Sequence, residues 1–297
     1  MRRWTSRISI VLCMGLTICV GAFSDDVPSP IEVDQLNLVF SVSDADAVHA
    51  FYGEILGLKR IPDIDFPGDS YMIRYMGGDS QLKFIVSGQD LPKHDGATGS
   101  ARGIRLLALL LPQSERAGVL DRLKAAGHDV PNFTDGKNED AGYTFSYGMA
   151  FDGDGNQIEI VFLDGAPAEK YKQIQIGLTV SDMVAMDTFL KDILGLEPFA
   201  MEGAIHRYTM GGTVVKFWEG GADIPAWVGG PSEKIGMNLV QFLVQDVDAV
   251  RTEVLERGGK IHTEPFALGT LATIMFVEGP DGILFEFAGP LLDRFKQ

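Results

Sequence analysis

The sequence predicts an α+β protein of four small units arranged as two pairs, and three observations carry that expectation. The first is a duplication about 135 residues apart. Ser41-Val42-Ser43-Asp44 followed by Phe51-Tyr52-Gly53-Glu54-Ile55-Leu56-Gly57-Leu58 returns as Thr179-Val180-Ser181-Asp182 followed by Phe189-Leu190-Lys191-Asp192-Ile193-Leu194-Gly195-Leu196. Leu82-Lys83-Phe84 after Gly77-Gly78 returns as Val215-Lys216-Phe217 after Gly211-Gly212, and Asn156-Gln157-Ile158-Glu159-Ile160 returns as Gly282-Ile283-Leu284-Phe285-Glu286-Phe287. The second is a hydrophobic rhythm that passes from strand to helix and back to strands, twice in each half. The third is that each such unit has one apolar sheet face and too little core to stand alone, so units must pair.

Each element has a local reason. Residues 36–42 form an apolar strand, and Asp44 caps a helix whose stripe runs through Phe51 and Ile55 and closes at Gly57. Strands follow at 70–76 and 81–86 around the turn Gly77-Gly78-Asp79. The second unit repeats the plan with a strand at 104–111, a helix at 114–126 ended by Gly127, and a hairpin of 143–150 and 157–162 around Asp152-Gly153-Asp154-Gly155. Residues 172–219 imitate the first unit and 235–289 the second. That last unit has a strand at 239–244, a helix at 247–257 stopped by Gly258-Gly259, and strands at 272–276 and 283–287 around Gly279-Pro280-Asp281-Gly282. Pairing of sequence neighbours gives domains at 31–166 and 170–292, separated by Gly165-Ala166-Pro167-Ala168-Glu169-Lys170.

Ahead of these units, residues 1–24 have the layout of a secretory signal peptide: Arg2, Arg3 and Arg7, an uncharged stretch from Ile8 to Ala22, then Asp25-Asp26. The expected location is periplasmic or secreted, with no stable membrane insertion of the mature chain, because the apolar stretch is short and rich in small residues. The rival readings are an uncleaved anchor and lipid attachment at Cys19, the latter opposed by the preceding Thr17-Ile18. Cys13 and Cys19 both lie in the leader, which removes thiol nucleophiles, thiolate metal sites and disulfides from the mature chain. Losing the leader arginines takes the formal charge from −16 to about −19, a surface that repels nucleic acid and anionic lipid. Asp152-Gly153-Asp154-Gly155-Asn156 resembles the start of a calcium loop but lacks the closing glutamate, so a hairpin turn is the better reading. Nucleotide-binding glycine loops, serine-hydrolase elbows and His-Glu-x-x-His are absent.

Polar residues recur in register inside apolar strands: Asn37, Lys83 and Glu159 in the first half, Gln175, Lys216 and Glu286 in the second. Period two sends each to the face opposite its apolar neighbours. That face meets either solvent or a shared trough where opposite charges offset one another's desolvation. Arg74 and His206 lie on the strand before each lysine, where side chains could enter the trough. Trp218, Trp227, Phe217 and Phe266 suit either an apolar pocket or ordinary core packing.

These runs resemble the vicinal oxygen chelate superfamily, the glyoxalase, bleomycin-resistance protein and extradiol dioxygenase group. The resemblance rests on 42–58, its copy at 180–196, Asp246-Val247-Asp248-Ala249-Val250, and the Asp-Gly to Glu strands at 153–160 and 281–287. It implies four βαβββ modules forming two cup-shaped mixed-sheet domains with helices packed outside. In metallated members the first and last strands of each module supply His, Gln or Glu ligands. Carried over, those positions are Asn37, Lys83, Leu106 and Glu159 in one cup and Gln175, Lys216, Leu239 and Glu286 in the other. Leucine has no donor atom and lysine is a cation, so no metal or other cofactor is expected. Each lysine is expected to fill the cation's place and pair with the glutamate of its own cup.

The expected function is binding of a small, partly apolar oxygenated molecule, with Asn37, Gln175, Arg74 and His206 contacting it. The alternatives are a metal-dependent or Lys/Glu-based lyase, isomerase or dioxygenase using Glu159, Glu286, Lys83 and Lys216, and a non-catalytic structural or protein-interaction module. Since the chain carries four modules, a monomer completes its own cups.

Overall fold

The computed structural model describes residues 29–93, 96–139, 141–202, 204–221 and 223–296. The leader expected at 1–24 lies outside them. Four modules follow one another. The first comprises β1 (Asn37–Val42), helix α1 (Ala45–Val48, continued as a wider π-type turn over His49–Ile55), β2 (Lys59–Asp65), β3 (Tyr71–Gly77) and β4 (Ser80–Val86). The second comprises β5 (Gly103–Pro112), α2 (Arg116–Ala125), β6 (Thr134–Asn138), β7 (Tyr143–Phe151) and β8 (Gln157–Asp164). The third repeats this as β9 (Ile174–Val180), α3 (Met183–Thr188, continued over Phe189–Ile193), β10 (Glu197–Glu202), β11 (Ile205–Met210) and β12 (Thr213–Glu219). The fourth has β13 (Gly236–Leu243), α4 (Val247–Glu256), β14 (Lys260–Leu268), β15 (Ala272–Glu278) and β16 (Leu284–Gly289).

Three helices start where a carboxylate can satisfy their free N–H groups: Asp44 accepts from Asp46 N at 2.8 Å, Asp182 from Ala185 N at 3.0 Å and Asp246 from Asp248 N at 2.9 Å. In the second module the chain makes a short 3₁₀ turn over Gln113–Glu115 instead, and α2 begins at Arg116 without a side-chain cap.

The strands form two eight-stranded mixed sheets, ordered β14-β15-β16-β13-β1-β4-β3-β2 and β10-β11-β12-β9-β5-β8-β7-β6. This corrects the expected pairing of sequence neighbours. The first module shares a sheet with the fourth, and the second with the third, through antiparallel contacts β1·β13 and β5·β9.

The physical reason lies in what each first strand buries. β1 is buried along its whole length, and β5 nearly so, one face against the helices and the other within a cup. Sequence neighbours already contact through helices and turns. Arg122 Nε donates to Ile55 O at 2.9 Å, Tyr52 Oη to Asp152 at 2.8 Å, and Ser43 Oγ to Asp154 at 2.5 Å. Ser181 Oγ binds Asp281 at 2.6 Å in the same way in the other half. The hairpin turn that resembles the start of a calcium loop is therefore a structural tie, its carboxylates engaged by hydroxyl, backbone, Asn156 amide and Lys93 donors.

One continuous hydrophobic core draws on all four modules, from Leu38 and Phe40 through Leu107 and Ile160 to Ile176, Phe217, Phe242 and Phe285. At its centre Ser80 and Thr213, equivalent positions of modules one and three, hydrogen-bond each other at 2.9 Å, as a pseudo-twofold axis requires. Both concave sheet faces are thus completed within one chain.

Candidate functional site

Cup 1 is the concave face of the first sheet. Asn37 stands opposite Gln241, and Gln241 opposite Glu286, so the pleat aims all three inward. Lys83 lies opposite Val39, two residues along β1 from Asn37 and on the same face. All four polar side chains are under 10 % exposed, so each must find a protein partner.

Gln241 supplies it. Its Oε1 accepts from Lys83 Nζ at 2.5 Å and from Asn37 Nδ2 at 3.2 Å, and its side chain also hydrogen-bonds Glu286. Asn37 Oδ1 accepts from Gln81 N at 2.7 Å, which fixes the asparagine's orientation. Among the described residues Lys83 and Glu286 make no direct ion pair, because the glutamine stands between them. Burial pushes the Lys83 ammonium down to about 8, against the opposing pull of Glu286, and the nearby Arg74 guanidinium lowers it further. Burial likewise raises the Glu286 carboxyl, with Lys83 and Gln241 working the other way. Beside this polar group lies an apolar patch of Val39, Leu239 and Leu284, flanked by Ile85 and Phe276.

Cup 2, on the second sheet, is arranged differently. Lys216 Nζ contacts Glu159 Oε2 directly as an ion pair, with side chains 10 % and 12 % exposed. The place that Gln241 holds in cup 1 is taken by Ala108, opposite both Glu159 and Gln175. Gly177 replaces Val39, and a Cβ there would come within 2.9 Å of the Trp218 ring, so that ring lies across the glycine. Tyr147, Met149 and Phe151 share the Glu159 face along β7, with Met149 and Phe151 substantially exposed. This cup has an ion-paired floor and an apolar wall.

The structure exchanges the carboxylates expected for the two lysines: Lys83 shares its cup with Glu286, and Lys216 with Glu159. Leu239 faces Val39 in cup 1 and Leu106 faces Gly177 in cup 2, again the reverse of the expected grouping. Arg74 lies opposite Lys83 on the cup face, donating to Pro62 O at 2.9 Å and Gln81 Oε1 at 3.4 Å. His206 does not enter a cup. It lies opposite the core residue Phe217 and binds Asp187 of α3 at 2.9 Å. Its neighbour Arg207 is the counterpart of Arg74, paired with Lys216 across β11 and β12. Each arginine stands nine residues before its lysine, a spacing visible in the sequence. Gln241 also escaped the sequence reading, although period two from Leu239 places it on the same face. Of the aromatic residues, Phe217 belongs to the core and Trp218 to cup 2. Phe266 packs beside Phe276 of cup 1, and Trp227 lies between the modules, its N bonded to Arg102 O.

A divalent ion fits neither donor set. Each cup offers one carboxylate beside an ammonium, the leucine positions contribute nothing, and Asn37 Oδ1 is already engaged. Among the described residues no group of three or more His, Cys, Asp or Glu side chains is placed to hold a metal ion.

Two paired-module cups, each with polar groups on its concave floor, define a glyoxalase-like protein of the small-molecule binding or catalytic kind. The profile of the Glyoxalase/Bleomycin resistance protein/Dioxygenase superfamily matches residues 34–160 and 172–287, and the chain belongs to that superfamily. Glyoxalase I from Zea mays is similar in fold, with a TM-score of 0.63 at 19% identity over 85% of this chain and 91% of that one. So is a putative dioxygenase from Bacillus subtilis, with a TM-score of 0.60 at 16% identity over 88% and 86%. At these identities the likeness is one of fold. No curated protein matches the sequence significantly. No helix among the described residues is long and apolar enough to cross a membrane.

Proposed function

We propose that the protein binds a small, partly apolar oxygenated organic molecule in its cups without a metal, the Lys/Glu floor replacing the metal centre. The observation that carries this reading is the placement of both lysine amines on the concave floors, Lys216 against Glu159 and Lys83 against the Gln241 amide that also meets Glu286. An ammonium there supplies a donor for a ligand oxygen, and the flanking carbon surface takes the apolar part. In cup 1 that surface is Val39, Leu239 and Leu284; in cup 2 it is Trp218, Tyr147, Met149 and Phe151. Asn37 orients Gln241, while Arg74 and Gln175 line the approaches.

The leader arginines and the following uncharged stretch support export to the periplasm or beyond, testable by N-terminal sequencing of the mature protein. Both cups being completed in one chain supports a monomer, and the strongly acidic composition argues against nucleic acid as a partner.

The test combines elemental analysis of the native protein with a melting-temperature screen of small oxygenated ligands in metal-free buffer. A ligand at 100 times its Kd should add about 2.7 kcal/mol of stability. Stoichiometric metal, or a screen that moves nothing, overturns the reading; the second outcome favours a structural or protein-interaction role. A catalytic reading has one specific observation behind it: in cup 1 the lysine is pushed down to about 8 and Glu286 raised, which suits proton transfer near neutral pH. Turnover lost on Glu286→Gln but kept on Glu159→Gln would establish it.

A further inference from the structure

The two lysines occupy equivalent positions, yet their surroundings differ. Lys216 is in direct contact with the Glu159 carboxylate. Lys83 is 6 % exposed, and its one hydrogen bond among the described residues goes to a neutral amide oxygen. The charged groups facing it are Arg74 from β3 and Glu286 from β16. Carbon surface from Val39, Leu239 and Leu284 flanks it. A desolvated amine beside a second cation, with a carboxyl group hydrogen-bonded to the same glutamine, is the environment that turns lysine into a nucleophile.

We propose that Lys83 forms a reversible imine with small aldehydes or ketones in cup 1, with Glu286 as the proton carrier. The proposal rests on reading cup 1 as a ligand site and narrows its ligand class to carbonyl compounds. In the first step the neutral amine forms a C–N bond to the carbonyl carbon while the C=O π electrons move to oxygen. That oxygen takes a proton from the Glu286 carboxyl, and the ammonium formed on nitrogen returns one to the carboxylate. In the second step the Glu286 carboxyl protonates the hydroxyl, nitrogen's lone pair forms the C=N bond as the C–O bond breaks and water leaves, and the iminium N–H returns its proton to the Glu286 carboxylate. The net change is amine plus carbonyl to imine plus water, with no oxidant or reductant consumed. With the amine pushed down to about 8, about 10 % of it is neutral at pH 7, against well under 1 % for an ordinary lysine.

The experiment treats the intact protein with limiting propanal and sodium cyanoborohydride at pH 7, which reduces any imine to a stable propyl group, and reads each lysine by peptide mass spectrometry. Lys83 is expected to be alkylated about tenfold faster than Lys216 and faster than exposed lysines such as Lys137 and Lys260. Alkylation of Lys83 no faster than these overturns the proposal without needing any variant. Glu286→Gln, with its far-ultraviolet circular dichroism checked against wild type, should slow labelling of Lys83 alone; unchanged labelling in the folded variant overturns the assigned proton carrier. Failure here leaves a melting-temperature response to non-carbonyl ligands intact, so loss of the imine chemistry and loss of the binding reading are told apart.

Discussion

At the residue scale the two cups form a controlled comparison of what neutralises a buried ammonium. Lys216 has a carboxylate in contact, so removing that partner strands a charge in a poorly solvated place, whereas removing both groups strands nothing. Glu159→Gln is therefore expected to destabilise the protein by about 3 kcal/mol, and the Glu159→Leu, Lys216→Met pair by much less, measured by urea denaturation. Lys83 carries the opposite signature. Its folded pKa is depressed to about 8, below the unfolded value, so the unfolded chain binds more protons between those two values and stability rises with pH across that window. Below about pH 8 the group is protonated in both states and its full penalty is present. Wild-type stability should thus gain about 2 kcal/mol relative to Lys83→Met between pH 7 and pH 9.5. Because Lys234 is also pushed down by burial, to about 7, the variant rather than the absolute slope is the proper reference.

At the element scale, the strands that touch the core were legible and those that touch water were not. β1, β4, β8, β9, β12 and β16 carry apolar rhythm because one face packs on helices. β2 and β6 have mostly exposed or half-exposed residues and no periodic signal to read. The inward polar residues were legible for the same reason the strands were, since a charge flanked by buried neighbours marks the other face. Gln241 has no counterpart among the polar residues that recur between the halves, since Ala108 holds the equivalent place in the second module, so repetition does not mark it. The glycines divide by a further criterion that sequence does not show, namely what surrounds them. Gly57 and Gly211 both have positive φ, at 68° and 55°, but a Cβ on Gly57 would meet nothing within 4 Å, whereas one on Gly211 would lie 1.5 Å from Asp34 O. Gly57→Ala should cost about 1 kcal/mol, the conformational penalty alone. Gly211→Ala should cost at least twice that, because the turn between β11 and β12 must leave the segment before β1, where Gly212 N donates to Asp34 O at 2.9 Å. Chemical denaturation of the two variants side by side checks the difference.

At the scale of the whole molecule, the point the sequence could not express was which module meets which. Repeats reveal that units pair, but any pairing that buries the first strands satisfies the same hydrophobic pattern. Sequence nearness suggested modules one with two and three with four, and those neighbours do touch, through α1 with α2 and the Ser43–Asp154 and Ser181–Asp281 contacts. The sheets are instead closed by the exchange of partners between halves, β1 with β13 and β5 with β9. The exchange has a consequence for dissection of the chain. A fragment of residues 29–167 contains β1 and β5 without their antiparallel neighbours, leaving two buried, apolar strands with open edges, which are templates for association. Expressed alone, each half is expected to self-associate, either as a dimer in which two copies supply each other's missing neighbours or as aggregate. Expressed together, residues 29–167 and 168–297 are expected to assemble one to one. Size-exclusion chromatography with light scattering distinguishes this from the alternative in which each half closes its own cup, for that arrangement would yield two independent folded monomers that ignore each other when mixed.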